Sequence, residues 1–483
     1  MSGRIRYTTA VTNGINRAAK QPAAARGVLL VNIPFYHAGC AEAPLGLAYV
    51  AAVLERSGIP FELLDANALR MSEADILAHI GRTNPSVVGS TVMTSMLAAA
   101  RRLADAVKGL PRPPLVVFGG PHPTIAPEEA IERGGADICV RGEGEETAAE
   151  LLGGIGEGPG GWGKVQGISF RGNGGVVHTP DRPLIADLDS IPFPARHLLP
   201  MNRYQTIHTG RKRFATLITS RGCPGKCMFC FRPFGRNLRY RSIENVMAEV
   251  RELVERFGVE EISILDDAFT LDRARVAEFC DRVLASGLRF AWRLGNGTRV
   301  DLIDEELLGL MKRAGCYEVA FGIESGDDEV LRKIGKEITT AQVERAFAAA
   351  KRAGMETIGF FMIGHPFDTV ATMKKTIDFA IRLDPTYAQF TMSTPLPGTA
   401  LWTWVKRHGR SLIGDDVTKL DFLGSTPHYE TDGFTADDAR TMYRKAYRRF
   451  YVRPRYIWRS IRRIRSINDI VVILKGLLYL RRI

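Results

Sequence analysis

Short apolar runs and amphipathic stretches alternate along this chain in two long series. GVLLVNIPF, FELLDAN, SVVGSTVMT, LVVFGG and ADICVRG each end at a turn and read as buried strands. Between them lie stretches with helical spacing: PLGLAYVAAVLERSG, which closes on Gly58, then segments near 72–83, 95–109, 126–133 and 145–153. Five β–α units in order predict a doubly wound parallel sheet over 27–160. Ligands of such sheets bind beyond the carboxyl ends of the strands. Three of those ends are Asp65-Ala66-Asn67, Gly119-Gly120-Pro121-His122 and Arg141-Gly142-Glu143-Gly144-Glu145. Their glycines let backbone amides approach a large ligand.

GGIGEGPGGWGKVQG, rich in turn formers, interrupts the pattern, and 161–208, with PFPARHLLP inside it, reads as a linker. A second series begins at FATLITSRG. It predicts strands at 214–221, 260–266, 289–294, 317–323, 356–363 and 386–393, with helices between them. One of these, TTAQVERAFAAAKRAG, opens on a capping box of Thr339 and Gln342 and stops at Gly354. Six β–α units over 209–405 suggest a parallel barrel or an open barrel arc, with chemistry at the carboxyl ends of its strands. The expected fold class is α/β: a doubly wound parallel sheet, a partial (β/α)6 barrel, and over 406–483 an extension with a basic helical tail. Residues 1–26 read as a flexible leader.

Composition sharpens this only in part. The 483 residues suffice for two or three domains, and 45% hydrophobic with 24% charged content places the chain among water-soluble globular proteins. No apolar run reaches the roughly 18 residues of a membrane span, and the first residues lack the core of a secretory signal. Cys40, Cys139, Cys280 and Cys316 are scattered without framework spacing, which points to a reducing cytoplasm. The net charge of +12 is local: Arg440 to Ile483 holds fourteen Lys or Arg against one acid, Asp469, and the rest is near neutrality. Nucleic-acid binding by the body of the protein is therefore not expected. The tail mixes Arg with Tyr, Trp and Ile. It suits a helix packed on the barrel with a basic face outward, one lying on an anionic membrane, which would favour an apolar substrate, or an RNA-binding surface.

The other three cysteines crowd into RGCPGKCMFCFRP (221–233), directly after the first strand of the second series. Zinc wants four ligands in paired hooks, and no fourth Cys or paired His follows Cys223, Cys227 and Cys230 at a suitable distance. A disulfide uses two of them and is disfavoured in the cytosol. Buried structural cysteines would not need Gly222, Pro224 and Gly225 around them. Three thiolates on a tight loop can hold three irons of a [4Fe–4S] cube and leave the fourth open for a substrate.

CPGKCMFC in this position resembles the CxxxCxxC signature of the radical S-adenosylmethionine (SAM) superfamily. The resemblance implies an open iron that chelates SAM, with Phe229 near the adenine. ILDDAFT puts Asp267 where the family approaches the SAM amino group. NGTRVD supplies Arg299, and FGIESG puts Glu324 where members hydrogen-bond the ribose. MIGHP and TPLPGT end the fifth and sixth strands. The plain alternatives are a helix cap for Asp267, a pair with Asp301 for Arg299 and a solvated turn for Glu324.

A doubly wound domain ahead of such a barrel resembles the cobalamin-binding branch of the superfamily, over about residues 27–450. This implies cobalamin contacts at Gly119, Gly120 and His122 of GGPHPT and at Gly142, Glu143 and Gly144 of the GEGE turn. The DxHxxG motif that brings a histidine to cobalt in mutases has no match in Phe35-Tyr36-His37-Ala38-Gly39-Cys40. His37 is therefore not assigned to cobalt, and a cobalamin-like fold without cobalamin stays open. Methylthiotransferases carry a second three-cysteine cluster, for which only Cys40 and Cys139 are available.

The implied chemistry starts with reductive cleavage of SAM to methionine and a 5′-deoxyadenosyl radical. The radical takes hydrogen from an unactivated carbon of a small-molecule substrate, and methylcobalamin delivers a methyl group. Electrons come from a donor such as flavodoxin or ferredoxin. No general acid or base is required, because the cofactors carry the hard chemistry. Ring formation or C–C or C–O rearrangement, as in related tetrapyrrole cyclases and lipid-modifying members, is the alternative. A non-catalytic iron–sulfur or corrinoid carrier is a third reading, which the open-iron spacing and Glu324 disfavour. The expected location is the cytoplasm or a membrane surface.

Overall fold

VLLVN at Val28–Asn32 is buried at every position, as a central parallel strand covered on both faces requires. It is β1 of a sheet with β2 (Phe61–Asp65), β3 (Val87–Thr91), β4 (Leu115–Gly119) and β5 (Ile138–Val140), all parallel. The strand order β2-β1-β3-β4-β5 reverses direction between β1 and β3, which makes a switch point there. These residues come from a computed structural model that describes 27–35, 41–205, 213–421 and 424–462. The leader 1–26, His37, Cys40 and the tail beyond 462 lie outside the described residues.

The sheet is not parallel throughout. Within the segment read as a linker, β6 (Ile168–Gly172) and β7 (Gly175–His178) add antiparallel strands on the β5 edge. The two-residue Asn173-Gly174 turn that joins them was the available signal. β7 is largely exposed, so it offers no apolar run to read. The same segment is pinned to the barrel. Arg196, fully buried, pairs with Glu249 at 2.5 Å and donates to the Thr216 carbonyl at 2.8 Å.

The second series forms six parallel strands in sequence order: β8 (Phe214–Leu217), β9 (Glu261–Ile264), β10 (Ala291–Thr298), β11 (Cys316–Glu324), β12 (Glu356–Ile363) and β13 (Tyr387–Met392). This is an open arc, so β13 has a free edge. The helix Ala436–Tyr451 covers it with two stacked tyrosines, Tyr447 and Tyr451, ring centroids 5.9 Å apart. The Tyr451 hydroxyl accepts from Ala388 N at 3.1 Å and donates to Ala388 O at 2.7 Å. The Tyr447 hydroxyl does the same for Phe390, at 3.3 and 3.0 Å. One helical i,i+4 step rises about 6 Å and one two-residue strand step about 6.6 Å, so two hydroxyls can follow the edge. Unpaired backbone groups that would template aggregation are thereby satisfied.

The segment after the barrel also reaches back. Ile413, Val417 and Leu420 join the core of the first domain, and Arg133 donates to the Asp415 carbonyl at 2.9 Å. No helix among the described residues is long and apolar enough to cross a membrane. The tyrosine edge gives a stability test. Tyr447→Phe and Tyr451→Phe should each lower unfolding stability by about 1 kcal/mol, with a larger fall in the double variant. Thermal unfolding monitored by circular dichroism reads this, and unchanged midpoints would show that the hydroxyls do not hold the edge.

Candidate active site

The cysteine loop leaves β8 under tight restraint. Asp266, fully buried after β9, accepts from Thr219 N at 2.6 Å, Thr219 Oγ1 at 2.5 Å and Ser220 Oγ at 2.6 Å. Gly222 follows with φ +98°, and a Cβ there would sit 2.4 Å from the Asn237 carbonyl oxygen, so only glycine fits. Met228 N donates to Ile334 O at 2.9 Å, and the Arg232 guanidinium donates to the Gly225 carbonyl. The loop is thus fixed on both sides.

Cys223 and Cys227 are half-buried, and Cys230 lies at the rim. Desolvation by the loop, then the neighbouring Cys227 and Cys223 sulfurs, push the Cys230 thiol up to about 12. Desolvation also raises Cys227, while the charges of Lys336 and Arg299 favour its thiolate. Among the described residues no three His, Cys, Asp or Glu side chains converge on one metal position. A cluster asks for less convergence, since each thiolate takes a different iron.

The other expected residues surround these thiols. Asp267 accepts from the Gly222 amide, but its Oδ2 is buried without a partner; burial and then Asp266 hold the carboxyl above its usual range. It caps no helix. Glu324 is buried at the end of β11 with φ +69°, a left-handed conformation that costs a non-glycine residue on the order of 1 kcal/mol. Its Oε1 meets Lys336 Nζ at 2.9 Å. Arg299 does pair with Asp301, at 3.0 and 2.8 Å, while staying close enough to influence Cys227. The Phe229 ring lies 5.6 Å from that of His365. His365 is fully buried with neither ring nitrogen partnered, and burial, then Lys336, push its pKa down to about 3. Asp266, Asp267, Asn296, Thr298 and Arg299 line one cleft. Sequence reasoning did not assign Lys336 or His365. The histidine stood in MIGHP at a strand end, but nothing marked Lys336.

In the first domain Gly119 ends β4, and Gly120 takes φ +94° with its Cα against Thr91, where a Cβ would meet Oγ1 at 2.4 Å. His122 is buried, with Nδ1 3.3 Å from Thr94 Oγ1 and Nε2 unpartnered. Gly142 (φ +72°) has open space above it, and Gly144 begins the helix Gly144–Gly153. Exposed Leu69 and Met93 follow β2 and β3. Glu143, expected at the cobalamin, instead turns to the barrel. Its Oε1 takes Arg221 Nη1 at 2.8 Å, and its Oε2 takes Arg239 Nη1 at 2.8 Å and Ile185 N at 2.7 Å. Glu145 takes the other Arg221 nitrogen at 2.6 Å. The Arg221 guanidinium also lies over Tyr49 and Phe234, at 5.3 and 5.1 Å. On the far side, Gly398 after β13 packs on Ile125 of the helix Pro121–Ile125. The carboxyl edges of the two sheets therefore face each other.

Comparison with known proteins matches this division. Residues 217–380 match the radical SAM superfamily, and residues 37–152 match the B12 binding domain. An uncharacterized methyltransferase of Pyrococcus horikoshii is 37% identical over 88% of this chain and 91% of its own. The chain belongs to the radical SAM superfamily, in the branch that carries a B12-binding domain. This radical SAM enzyme is also similar to the anaerobic magnesium-protoporphyrin IX monomethyl ester cyclase of Rubrivivax gelatinosus, 30% identical over 88% of this chain and 77% of that one. Its fold is that of the radical SAM methyltransferase TsrM of Kitasatospora setae, solved with cobalamin and a [4Fe–4S] cluster bound. The TM-score is 0.70 at 20% identity, covering 89% of this chain and 90% of TsrM.

The Arg221 contact between the domains can be tested. Arg221 is 4% exposed, so Arg221→Met strands the buried Glu145 carboxylate, while Glu143 keeps Arg239 and Ile185 N, and should cost about 3–5 kcal/mol. Adding Glu145→Gln should recover much of that loss in thermal unfolding, whereas adding Glu143→Gln should not, because Glu143 still pairs with Arg239. Burial pushes the Glu143 carboxyl up, but Arg239 and Arg221 more than reverse this and leave it below its usual 4.5. Its contribution is therefore complete above that value and lost as pH falls through the lowered pKa.

Proposed function

We propose that this radical SAM enzyme is a cobalamin-dependent C-methyltransferase acting on an unactivated carbon of a small molecule. The observation that carries the reading is the group of three thiols beside a half-buried Asp267 whose Oδ2 is buried without a partner, facing the strand-end edge of a B12-type domain. Cys223, Cys227 and Cys230 would hold a [4Fe–4S] cluster. Phe229, Asp267, Arg299 and Glu324 would hold SAM. Gly119, Gly120, His122, Gly142 and Gly144 would border cobalamin, and Glu143 would act as a domain anchor. When bound, the cluster with SAM supplies a 5′-deoxyadenosyl radical and cobalamin supplies a methyl group.

The chain's own residues then bind, orient and exclude water. The free Asp267 oxygen can accept an N–H from an ammonium group. Lys336 and Arg299 partly offset the burial, Glu324 and Cys223 that hold the Cys227 thiol above its usual range, and so act toward the thiolate that iron binds. Neutral His365 gives the site a polar ring without a second positive charge beside Lys336. A reductant of the flavodoxin or ferredoxin class would supply electrons from outside. The name of the Pyrococcus relative supports methyl transfer. The similarity to the cyclase over most of the chain keeps radical ring formation as the second reading.

The test is anaerobic. Protein reconstituted with iron, sulfide and cobalamin should retain corrinoid after gel filtration. With SAM and dithionite it should form 5′-deoxyadenosine. Cys227→Ala should lose both the cluster absorbance and the product. Glu324→Ala should keep the absorbance and raise the KM for SAM about tenfold, a loss of about 1.4 kcal/mol. Product without retained corrinoid would move ring formation ahead, and no product from a cluster-loaded protein would refute both readings.

A further inference from the structure

Helix Pro454–Arg462 lies after the helix that seals the barrel edge, and its orientation is fixed by its inner side. Tyr456 packs against Phe450 and Tyr451, at 5.4 and 4.9 Å between ring centroids. Arg453 and Arg459 converge on Asp384, at 2.9 and 3.1 Å. These contacts leave the opposite side outward. Ile457, Trp458 and Ile461, spaced i, i+1, i+4, form one apolar stripe there. Ile461 at 59%, Trp458 at 56% and nearby Val452 at 54% are the most exposed large hydrophobic residues among those described.

A stripe of this kind flanked by acids would suit a protein partner. Here the charges of the segment itself are all basic: Arg440 to Arg462 holds nine Lys or Arg and no Asp or Glu, and the acids that meet them, Asp384 with Arg453, Arg455 and Arg459 and Asp378 with Arg449, come from the barrel. Arg455 and Arg462 are exposed beside the stripe, and Arg462 stacks over Trp458 at 3.5 Å. Exposed Arg444, Lys445 and Arg448 extend the basic surface along the preceding helix. We propose that this face docks on an anionic lipid surface. The stripe enters the headgroup boundary with Trp458 as its interfacial anchor, and the arginines meet lipid phosphates. The proposal does not depend on which reaction the barrel performs. It places the enzyme where apolar or membrane-bound substrates are concentrated.

Flotation of the full chain with vesicles of mixed phosphatidylcholine and phosphatidylglycerol tests this, beside vesicles of phosphatidylcholine alone. Binding is expected only with the mixed vesicles, weakened about tenfold by Trp458→Ser/Ile461→Ser and by raised salt. The same variant should keep its melting temperature and its rate of 5′-deoxyadenosine formation. Trp458→Phe should remove the fluorescence blue shift seen on binding. Four results would each overturn the proposal. The first is equal recovery with both vesicle types. The second is a double variant that binds as well as the parent. The third is a fall in melting temperature in that variant, which would mean the chain's own tail covers the stripe. The last is a lipid-free dimer, or retention by RNA but not by vesicles.

Discussion

The buried Arg221 guanidinium is the centre of the contact that holds the two halves of this enzyme in register, with Arg239 reaching the same Glu143. Arg221 is buried between Glu143 and Glu145 of the first domain, and it lies two residues before the first cysteine of the barrel loop. A buried charge of this kind tolerates little displacement, because an unpaired partner would bear its full desolvation cost. The position of the first sheet is thereby tied to the start of the loop that carries the three thiols. A reaction that needs groups from two domains requires such a tie, since effective concentration falls steeply with misplacement.

Other restraints act on the same loop. Asp266 gathers three donors from Thr219 and Ser220, Gly222 allows a turn no other residue could make, and Arg196 locks the connecting segment onto Glu249. At the opposite end of the arc, the tyrosines of the sealing helix satisfy the edge that an incomplete barrel leaves open. The opening is thus kept for the other domain and for ligands, while the free backbone is closed to other chains.

Within that frame the unpaired groups collect in one place. Asp267 keeps an unpartnered oxygen, His365 two unpartnered nitrogens, and Glu324 a strained backbone beside buried Lys336. Such features cost stability and cluster where ligands are expected to complete them. The same logic separates two glutamates that each stand at a strand end. Glu324 pairs with Lys336 and lies close enough to Cys227 to act on its thiol, whereas Glu143, in an equally suggestive turn, is fully engaged in holding the domains together.

The eleven parallel strands were legible from the sequence, because each is a short apolar run set by local pattern and closed by a turn. So were the cysteines, crowded within eight residues, and the strand-end positions of Asp267, Arg299 and Glu324. The β6–β7 hairpin was not, since its outer strand is solvent-exposed and carries no apolar signal. Nor were the partners that give the site its character. Glu143 and Arg221 are 78 residues apart, Lys336 reaches Glu324 from beyond an intervening helix, and His365 meets Phe229 across the barrel. Local periodicity fixes which residues form strands and where the strands end. Which buried charge finds which partner depends on distances between segments remote in sequence, and only the packed tertiary structure decides those.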